Sequence, residues 1–194
     1  MYCGDNKTAL YSQQLIADAM LSLLHEKSYA GISVSDLCKT AGVSRQTFYS
    51  LFGSKENVIL FALKHNCSYE PEPEAKVCRS ACFRDFCVGY SRYIVEKREI
   101  LELLVKNDIM HCLYDVQYES LMQCAHFIGG IEGEDRLYLV DFIAGGMNSI
   151  AKNYVLTGCS ADGAFLERLM FKLFGGGYFS EGNCETSAKR RLLK

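Results

Sequence analysis

The sequence predicts an all-α fold, and three observations indicate it. Apolar residues recur at intervals of three to four positions along most of the 194 residues, which is helical spacing. The chain has only two prolines, Pro71 and Pro73, so long segments are free of helix breakers. Capping residues and glycines flank the periodic segments. About half of the residues (49%) are apolar, which is enough to build a core in one or two globular units.

The composition excludes several classes of protein. A net charge of −2 argues against a polycation that binds nucleic acid over its whole surface. No apolar run approaches the roughly 18 residues of a membrane span, and the first residues lack the basic-then-apolar pattern of a secretory signal. We therefore expect a cytoplasmic protein without membrane contact. In that compartment the ten cysteines are predicted to be mainly reduced, small apolar residues.

The N-terminal part of the chain is predicted to be a loosely held arm, residues 1–11, followed by four helices. Each predicted helix has an apolar side and polar or glycine residues at its ends. The predicted helices cover residues 12–27, 34–41, 45–52 and 55–67. We call the middle pair with its turn, residues 33–52, the helix-turn-helix.

Local signals support the helix-turn-helix. Ser33 can cap its first helix, and Asp36 can complete a capping box. Gly42 lies where that helix must end and the chain must reverse. The left-handed conformation needed there costs least for a residue without a Cβ. Ser44 can cap the second helix, whose first turn (residues 45–47) is polar. Such a motif inserts this first turn into the major groove of DNA, where Arg can pair with guanine and Gln with adenine.

A Glu-Pro-Glu-Pro-Glu segment at residues 70–74 predicts a boundary between two units. Residues 1–69 would form a helix-turn-helix DNA-binding domain with a linking helix and a net charge of +1. Residues 70–194, with a net charge of −3, would form a helical effector-binding and dimerisation domain with a flexible C-terminal tail. The predicted helices of the second unit cover residues 76–95, 98–106, 108–127, 134–156 and 161–174.

The string ISVSDLCKTAGVSRQTFYSLFGSKENVI, residues 32–59, resembles the DNA-binding domain of the tetracycline-repressor (TetR) family of transcriptional regulators. The order AGVS, T-F-Y and F-x-S-K-E carries the resemblance. With the preceding helix it covers roughly residues 12–66. A second, weaker resemblance, at residues 141–158, is to the penultimate helix of a subgroup of these regulators.

The resemblance implies an all-helical homodimer that binds palindromic double-stranded operator DNA. Three N-terminal helices would form the DNA-binding head, and a fourth would link it to the domain that dimerises and binds a small-molecule effector. Effector binding would change the spacing of the two heads and release DNA, as in a repressor. An enzyme is not expected, because no nucleophile–base pair, phosphate loop or metal motif stands out. No cofactor and no metal are expected.

Seven residues are predicted to contact DNA, through the motif or through the resemblance. Tyr49 matches a tyrosine that contacts phosphate in the family, and Lys55 matches a lysine at the start of the next helix. Leu51 stands where the family often has His or Tyr, so one phosphate contact is expected to be missing. The predicted DNA-binding residues are Ser33, Ser44, Arg45, Gln46, Thr47, Tyr49 and Lys55.

Aromatic residues on two C-terminal helices predict a site for an apolar or aromatic effector. A Tyr hydroxyl or His111 would orient the ligand. The same helical spacing also fits ordinary core packing. The predicted effector-binding residues are Phe83, Phe86, Tyr90, Tyr93, His111, Tyr114 and Tyr118.

Gly145 and Gly146 lie in the middle of a predicted helix, where Gly costs about 1 kcal/mol relative to Ala. A close approach of another helix would explain them. We therefore expect the last two helices of each chain to form a four-helix dimer interface, with packing inside one chain as the alternative. The predicted interface residues are Ile143, Gly146, Met147, Ile150, Tyr154, Leu166, Leu169, Met170 and Leu173.

Two alternative functions remain open at this point. The first is a co-regulator that acts mainly through protein–protein contacts, which the low charge of the head favours slightly. The second is a repressor that senses thiol oxidation or a soft metal ion. For it, Cys78 and Cys82 would lie one helical turn apart, with Cys87, His111 and Cys112 as further candidates. The lack of a C-x-x-C pair weighs against a zinc site.

Overall fold

The computed structural model describes residues 1–2, 4–65, 79–123 and 131–175, and every regular element in these ranges is helical. This confirms the predicted all-α fold. A 3-10 turn, Tyr29–Gly31, follows the first helix. The predicted boundary at residues 70–74 and the predicted tail lie outside the described ranges. The α-helices are α1 Lys7–Glu26, α2 Val34–Ala41, α3 Arg45–Leu51, α4 Lys55–His65, α5 Arg79–Glu96, α6 Arg98–Lys106, α7 His111–Gln123, α8 Gly133–Leu156 and α9 Gly163–Phe174.

The start of the chain is held in place, so the prediction of a loose arm is wrong. Asn6 caps α1, since its side-chain oxygen accepts hydrogen bonds from two backbone N–H groups of the first turn at 2.9 and 3.3 Å. The helix therefore begins at Lys7, earlier than predicted. The Tyr2 N–H donates to the Leu51 carbonyl at 2.7 Å, and the buried Gln13 side chain donates to the Tyr2 carbonyl at 3.1 Å. These bonds attach the N-terminus to the end of α3.

The caps predicted for the helix-turn-helix are present. The Ser33 hydroxyl accepts from the Asp36 N–H at 3.1 Å, and the Asp36 carboxylate accepts from the Ser33 N–H at 2.9 Å. The bond from the Ser33 backbone, followed by that from Lys27, lowers the pKa of Asp36 to about 2. Gly42 has a φ of 67°, the left-handed conformation expected there. The Ser44 hydroxyl accepts from a backbone N–H of α3 at 3.0 Å.

The four N-terminal helices share one apolar core. Helix α1 packs against α2 and α4, and α2 packs against α3. Phe52 meets Phe61 edge to face, with ring centroids 5.4 Å apart. This core fixes the direction in which α3 presents its polar side. Fully buried residues include Ile16, Met20, Leu24, Ile32, Leu37, Phe48, Phe52, Ile59 and Leu63.

Two helix pairs, α1 with α6 and α4 with α7, join the N-terminal helices to the C-terminal domain. The Asn107 side chain accepts from the Tyr29 N–H at 2.8 Å, and the Lys106 ammonium donates to the His25 carbonyl at 3.2 Å. An exposed ion pair also joins α4 to α7. The orientation of the helix-turn-helix therefore depends on contacts with α6 and α7.

In the C-terminal domain, α5 packs against α9, and α8 packs against α7 and α6. Helix α6 has the predicted bounds, and α8 and α9 end where predicted. The predicted start of α5 and end of α7 lie outside the described ranges. Helices α5 to α8 enclose the second part of the core. Fully or nearly fully buried residues there include Cys87, Ile94, Leu101, Leu104, Cys112, Leu113, Val140, Ala144 and Ala151.

Most residues predicted for the dimer interface lie inside a single chain, and for these the prediction is wrong. A Cβ on Gly146 would lie 2.9 Å from the Phe174 ring of α9, so the close approach at this glycine occurs within one chain. Leu169 is half-buried, and Leu173 is exposed. The predicted interface residues buried in the chain itself are Ile143, Met147, Ile150, Tyr154, Leu166 and Met170.

A different apolar surface of α8 and α9 is exposed. Tyr138 and Phe142, one turn apart on α8, are 73% and 67% exposed. Phe165 and Leu173 of α9 are exposed as well. The Phe142 ring of α8 meets the half-buried Phe174 ring of α9 edge to face at 6.4 Å. We call Tyr138, Phe142, Phe165 and Leu173 the α8–α9 patch.

Candidate functional site

The first turn of α3 presents polar side chains on the surface of the helix-turn-helix. Arg45 and Gln46 are exposed, Thr47 is half-buried, and Tyr49 is 57% exposed. On the opposite side of the helix, Phe48 is completely buried. Helix α3 thus has a polar side of the kind that enters a DNA groove, and its apolar side packs against the core.

Hydrogen bonds hold part of this surface in position. The Arg45 guanidinium donates to the Ser35 hydroxyl on α2, which ties the two helices together. The Ser44 and Thr47 hydroxyls lie 2.8 Å apart and share one hydrogen bond. Since that bond uses only one of the two protons, the other hydroxyl can still donate to a phosphate or a base.

Ser33 and Lys55, both predicted to contact DNA, have structural roles in this fold. The Lys55 ammonium donates to the Tyr29 carbonyl at 3.0 Å and the Ile32 carbonyl at 2.6 Å, and lies 4.6 Å from the Tyr29 ring centroid. The Ser33 hydroxyl donates to the Asp36 carboxylate at 2.8 Å. Lys55 therefore holds the segment between α1 and α2 against the start of α4.

The expected loss of a phosphate contact at Leu51 has no structural basis. The Leu51 side chain is buried in the N-terminal core, and its carbonyl accepts from the Tyr2 N–H. A side chain at this position faces the protein interior. Leu51 is therefore a packing residue, and it does not weaken the case for DNA binding.

Lys39 is a candidate DNA-contacting residue that the sequence analysis missed. It is exposed on α2 beside the turn, while Lys27 forms an ion pair with Asp36 at 3.0 Å. Lys39 and Arg45 therefore supply exposed positive charge on the helix-turn-helix. The only sequence signal was the position of Lys39 on the polar side of α2.

The helix-turn-helix matches a known family. The family described as "Bacterial regulatory proteins, tetR family" matches residues 16–60, which run from the middle of α1 to the middle of α4. This part of the chain is a TetR-family DNA-binding domain. This confirms the resemblance found in the sequence.

Curated transcriptional regulators match part of the chain. The HTH-type transcriptional regulator EthR of Mycolicibacterium smegmatis is 60% identical over 57 residues, or 29% of this chain and 24% of that protein. The HTH-type dhaKLM operon transcriptional activator DhaS of Lactococcus lactis is 35% identical over 60 residues, or 31% of this chain and 32% of that protein. The matches thus span a third or less of these relatives' lengths.

Solved structures resemble the chain over most of its length. A TetR-like transcriptional regulator from Rhodococcus sp. RHA1 matches with a TM-score of 0.53 at 14% identity, covering 88% of this chain and 97% of that one. NalD of Pseudomonas aeruginosa, described as the secondary repressor of the MexAB-OprM multidrug efflux pump, matches with a TM-score of 0.53 at 14% identity, covering 84% and 94%. At this identity the likeness shows a shared TetR fold.

Helix α5, in the C-terminal part of the chain, carries a stacked aromatic cluster. Tyr90 stacks on Phe86 and on Tyr93, with ring centroids 6.4 and 5.7 Å apart. Phe86 also contacts Phe174 of α9 at 6.0 Å. Phe83 packs against α9 as well, through the Phe171 ring at 4.8 Å. Phe86, Tyr90 and Tyr93 therefore form one stacked aromatic layer, and Phe83 and Phe86 contact α9.

A buried polar group that the sequence did not reveal adjoins this cluster. Gln117 of α7 is only 5% exposed, and its amide NH₂ donates to the Tyr90 hydroxyl. The Tyr90 hydroxyl donates in turn to the Met147 carbonyl at 3.0 Å. The Gln117 side-chain oxygen has no hydrogen-bond partner in the described part of the chain. A buried acceptor without a partner is costly, so its position beside the aromatic layer points to a ligand donor.

The predicted effector residues of α7 divide into two groups. Tyr114 and Tyr118 stack on each other at 6.0 Å, and the Tyr114 hydroxyl donates to Asp141 of α8. The bond to Asp141, followed by burial, raises the pKa of Tyr114 to about 12. His111 is exposed at the start of α7 and faces Glu56 of α4 at 3.9 Å. His111 therefore lies at the junction with α4, and its role in binding an effector stays a prediction.

The thiols that the structure describes are free and mostly buried. Cys38, Cys87 and Cys112 are buried, and Cys159 is half-buried. Burial raises the pKa of the Cys87 and Cys112 thiols to about 12. The side chains of the predicted Cys78 and Cys82 pair lie outside the described part. Within the described residues, no helix combines the length and the apolar composition of a membrane span.

Proposed function

We propose that this chain is a transcriptional regulator that binds palindromic operator DNA as a homodimer and is released by a small-molecule effector. The observation that carries the proposal is the exposed polar first turn of α3, with Arg45 tied to α2 above a fully buried Phe48. A preorganised side chain loses little freedom when it binds a base edge. The TetR-family model, which matches residues 16–60, includes this turn, and the relatives that match part of the chain are named as regulators.

The operator test begins with genomic fragments captured by the full chain and sequenced. Arg45→Ala should weaken binding to the captured site by about 1–3 kcal/mol per half-site, because a bidentate Arg–guanine pair is worth that much. Gln46→Ala should change the base preference at one position. Ser50→Ala, an exposed change on the same helix away from its first turn, is the matched control. Ser50→Ala should bind like the wild type, and gel shifts in which Arg45→Ala and Gln46→Ala do so too would contradict the proposed interface.

The α8–α9 patch is the proposed dimer surface. Its four apolar residues are exposed in the single chain. A Cβ added at Gly145, on the same helix, would meet nothing within 4 Å, which leaves room for a second chain to approach closely. An apolar patch of this kind on a soluble domain is typical of an interface.

The proposed effector is an apolar or aromatic molecule that carries a hydrogen-bond donor. The aromatic layer of Phe86, Tyr90 and Tyr93 would provide the apolar contacts, and the Gln117 oxygen would accept from the donor. The buried hydroxyl and amide next to the aromatic rings resemble the few polar groups that orient a ligand in an apolar site.

Gln117→Leu separates this role from a structural one. The free energy of unfolding, measured in urea, should stay unchanged or rise by up to about 1 kcal/mol, because the variant removes a buried acceptor without a partner. In a thermal-shift screen, the wild type should prefer apolar compounds with a donor over matched compounds without one, and the variant should lose this preference. A loss of more than about 2 kcal/mol would show that Gln117 is a satisfied structural residue. Tyr90→Phe, which keeps the ring and leaves the Gln117 oxygen in place, should retain the preference for a donor.

A further inference from the structure

Three metal-ligating side chains converge at the junction between α4 and α7. His111 and Cys112 are the first two residues of α7, and Glu56 lies in the first turn of α4. One ligand atom from each residue lies within 4.8 Å of those of the other two. We propose that Glu56, His111 and Cys112 form a binding site for a divalent transition-metal ion of the zinc type.

The separations of the ligand atoms suit such an ion. Zinc bonds of about 2.0 Å to nitrogen and 2.3 Å to sulfur at tetrahedral angles place these two atoms about 3.5 Å apart. The His111 Nε2 and Cys112 Sγ atoms are 3.5 Å apart. The Glu56 carboxylate is 3.9 Å from His111 Nε2, and a small side-chain rotation of this exposed residue would close the remaining gap.

A metal ion would also engage all three groups at once. The same atom, His111 Nε2, faces both the Cys112 sulfur and the Glu56 carboxylate. A ring nitrogen either donates one proton or accepts one, so it cannot satisfy both neighbours through good hydrogen bonds. An ion at the centre would bind all three, because it takes imidazole, thiolate and carboxylate ligands and deprotonates the thiol.

The burial pattern supports reversible binding. Cys112 is completely buried, whereas His111 and Glu56 are exposed, so an ion would enter from solvent and meet the sulfur last. Three protein ligands leave the fourth tetrahedral position to water, the arrangement of an open zinc site. The mixed sulfur, nitrogen and oxygen donor set suits zinc or cobalt better than magnesium or calcium.

The position of the site suggests what the ion does. Helix α4 carries Lys55, which holds the segment before the helix-turn-helix, and α7 belongs to the C-terminal domain. An ion bound to both helices would clamp their ends together and fix the orientation of the helix-turn-helix. This consequence rests on the proposed function, whereas the metal site itself does not.

Cobalt(II) and zinc(II) titrations of the reduced full chain test the site without DNA. The wild type should bind one ion per chain at this site, with a thiolate-to-cobalt charge-transfer band that zinc abolishes. His111→Asn and Glu56→Gln change exposed side chains, so both variants should fold normally. They should bind the ion at least about tenfold more weakly, because losing even a residue that only supports a zinc ligand lowers metal affinity by about 10–100-fold. Cys112→Ser should lose the charge-transfer band.

Cys159→Ser, a half-buried thiol outside the cluster, is the matched control and should bind like the wild type. Equal binding by the wild type and all three cluster variants would overturn the site, because other thiols would then hold the ion. In gel shifts with the captured operator, zinc should change the affinity of the wild type and not that of His111→Asn. If operator affinity did not change when the metal site is filled, the clamp would be overturned. If the chain bound no operator at all, only the proposed function would be contradicted.

Discussion

Phe142→Asp should convert the protein to a monomer and weaken operator binding by about 10²–10⁴-fold. Phe142 is 67% exposed in the single chain, so the substitution removes little packing beyond the ring contact with Phe174. In a dimer it would bury an unpaired carboxylate in an apolar interface, which costs several kcal/mol. Two joined heads gain about 10²–10⁴ in avidity over one, and the monomer loses this gain. Sedimentation at micromolar concentration and gel shifts measure the two effects.

Val95→Asp is the matched control for this prediction. Val95 is an exposed apolar residue of α5 outside the α8–α9 patch, so it introduces the same charge without touching the proposed interface. It should leave both the oligomeric state and the operator affinity unchanged. A Phe142→Asp variant that remains a dimer would place the interface elsewhere, and a monomeric wild type would remove the dimer from the proposal.

The sequence predicted the local features of the helix-turn-helix because each depends on residues close together in the chain. The Ser33–Asp36 capping box spans three residues, and the left-handed Gly42 follows from its own missing Cβ. The start of α1 depends on the local Asn6 cap, which the sequence analysis did not use. The attachment of the first residues was missed because the bond that holds them links Tyr2 to Leu51, almost fifty positions away. Capping signals do not reveal such contacts.

Helical periodicity identified an apolar side on α8 but not the partner that this side packs against. Ile143 and Met147 have the spacing of an interface, yet they pack on helices of the same chain. Tyr138 and Phe142 lie on another side of α8 and are exposed. Apolar periodicity alone would predict that these two aromatic residues are buried as well. Gln117 gave no signal at all, because a single polar residue in a helix is usually exposed.

The interpretation of Lys55 changed because its contacts lie far away in the sequence. Its position after the helix-turn-helix suggested a phosphate contact, but its hydrogen-bond acceptors, the carbonyls of Tyr29 and Ile32, lie 26 and 23 residues earlier in the chain. No local pattern shows that two distant carbonyls turn toward one ammonium. The three-dimensional contacts thus separate a cation that supports the fold from Lys39, which is exposed on α2.

Lys55→Met should therefore lower stability more than it lowers DNA affinity. The free energy of unfolding, measured in urea to avoid charge screening, should fall by about 2–3 kcal/mol. The half-buried ammonium donates two hydrogen bonds to carbonyls, and a hydrogen bond to a charged group is worth about 1.5–3 kcal/mol before discounting for solvent. The contact with the Tyr29 ring adds about 0.5–1 kcal/mol. The slope of operator affinity against salt, measured at a temperature where the variant is folded, should not change.

Lys39→Met should show the opposite behaviour and serves as the matched control. Its stability should stay within about 0.5 kcal/mol of the wild type, as for most surface substitutions. Its salt slope should fall by about 1 if Lys39 neutralises one phosphate, because each such contact releases a counterion. If instead Lys55→Met kept full stability and lost one unit of salt slope, Lys55 would be a phosphate-binding residue after all. The pair of variants thus assigns each cation to the fold or to the DNA by two independent measurements.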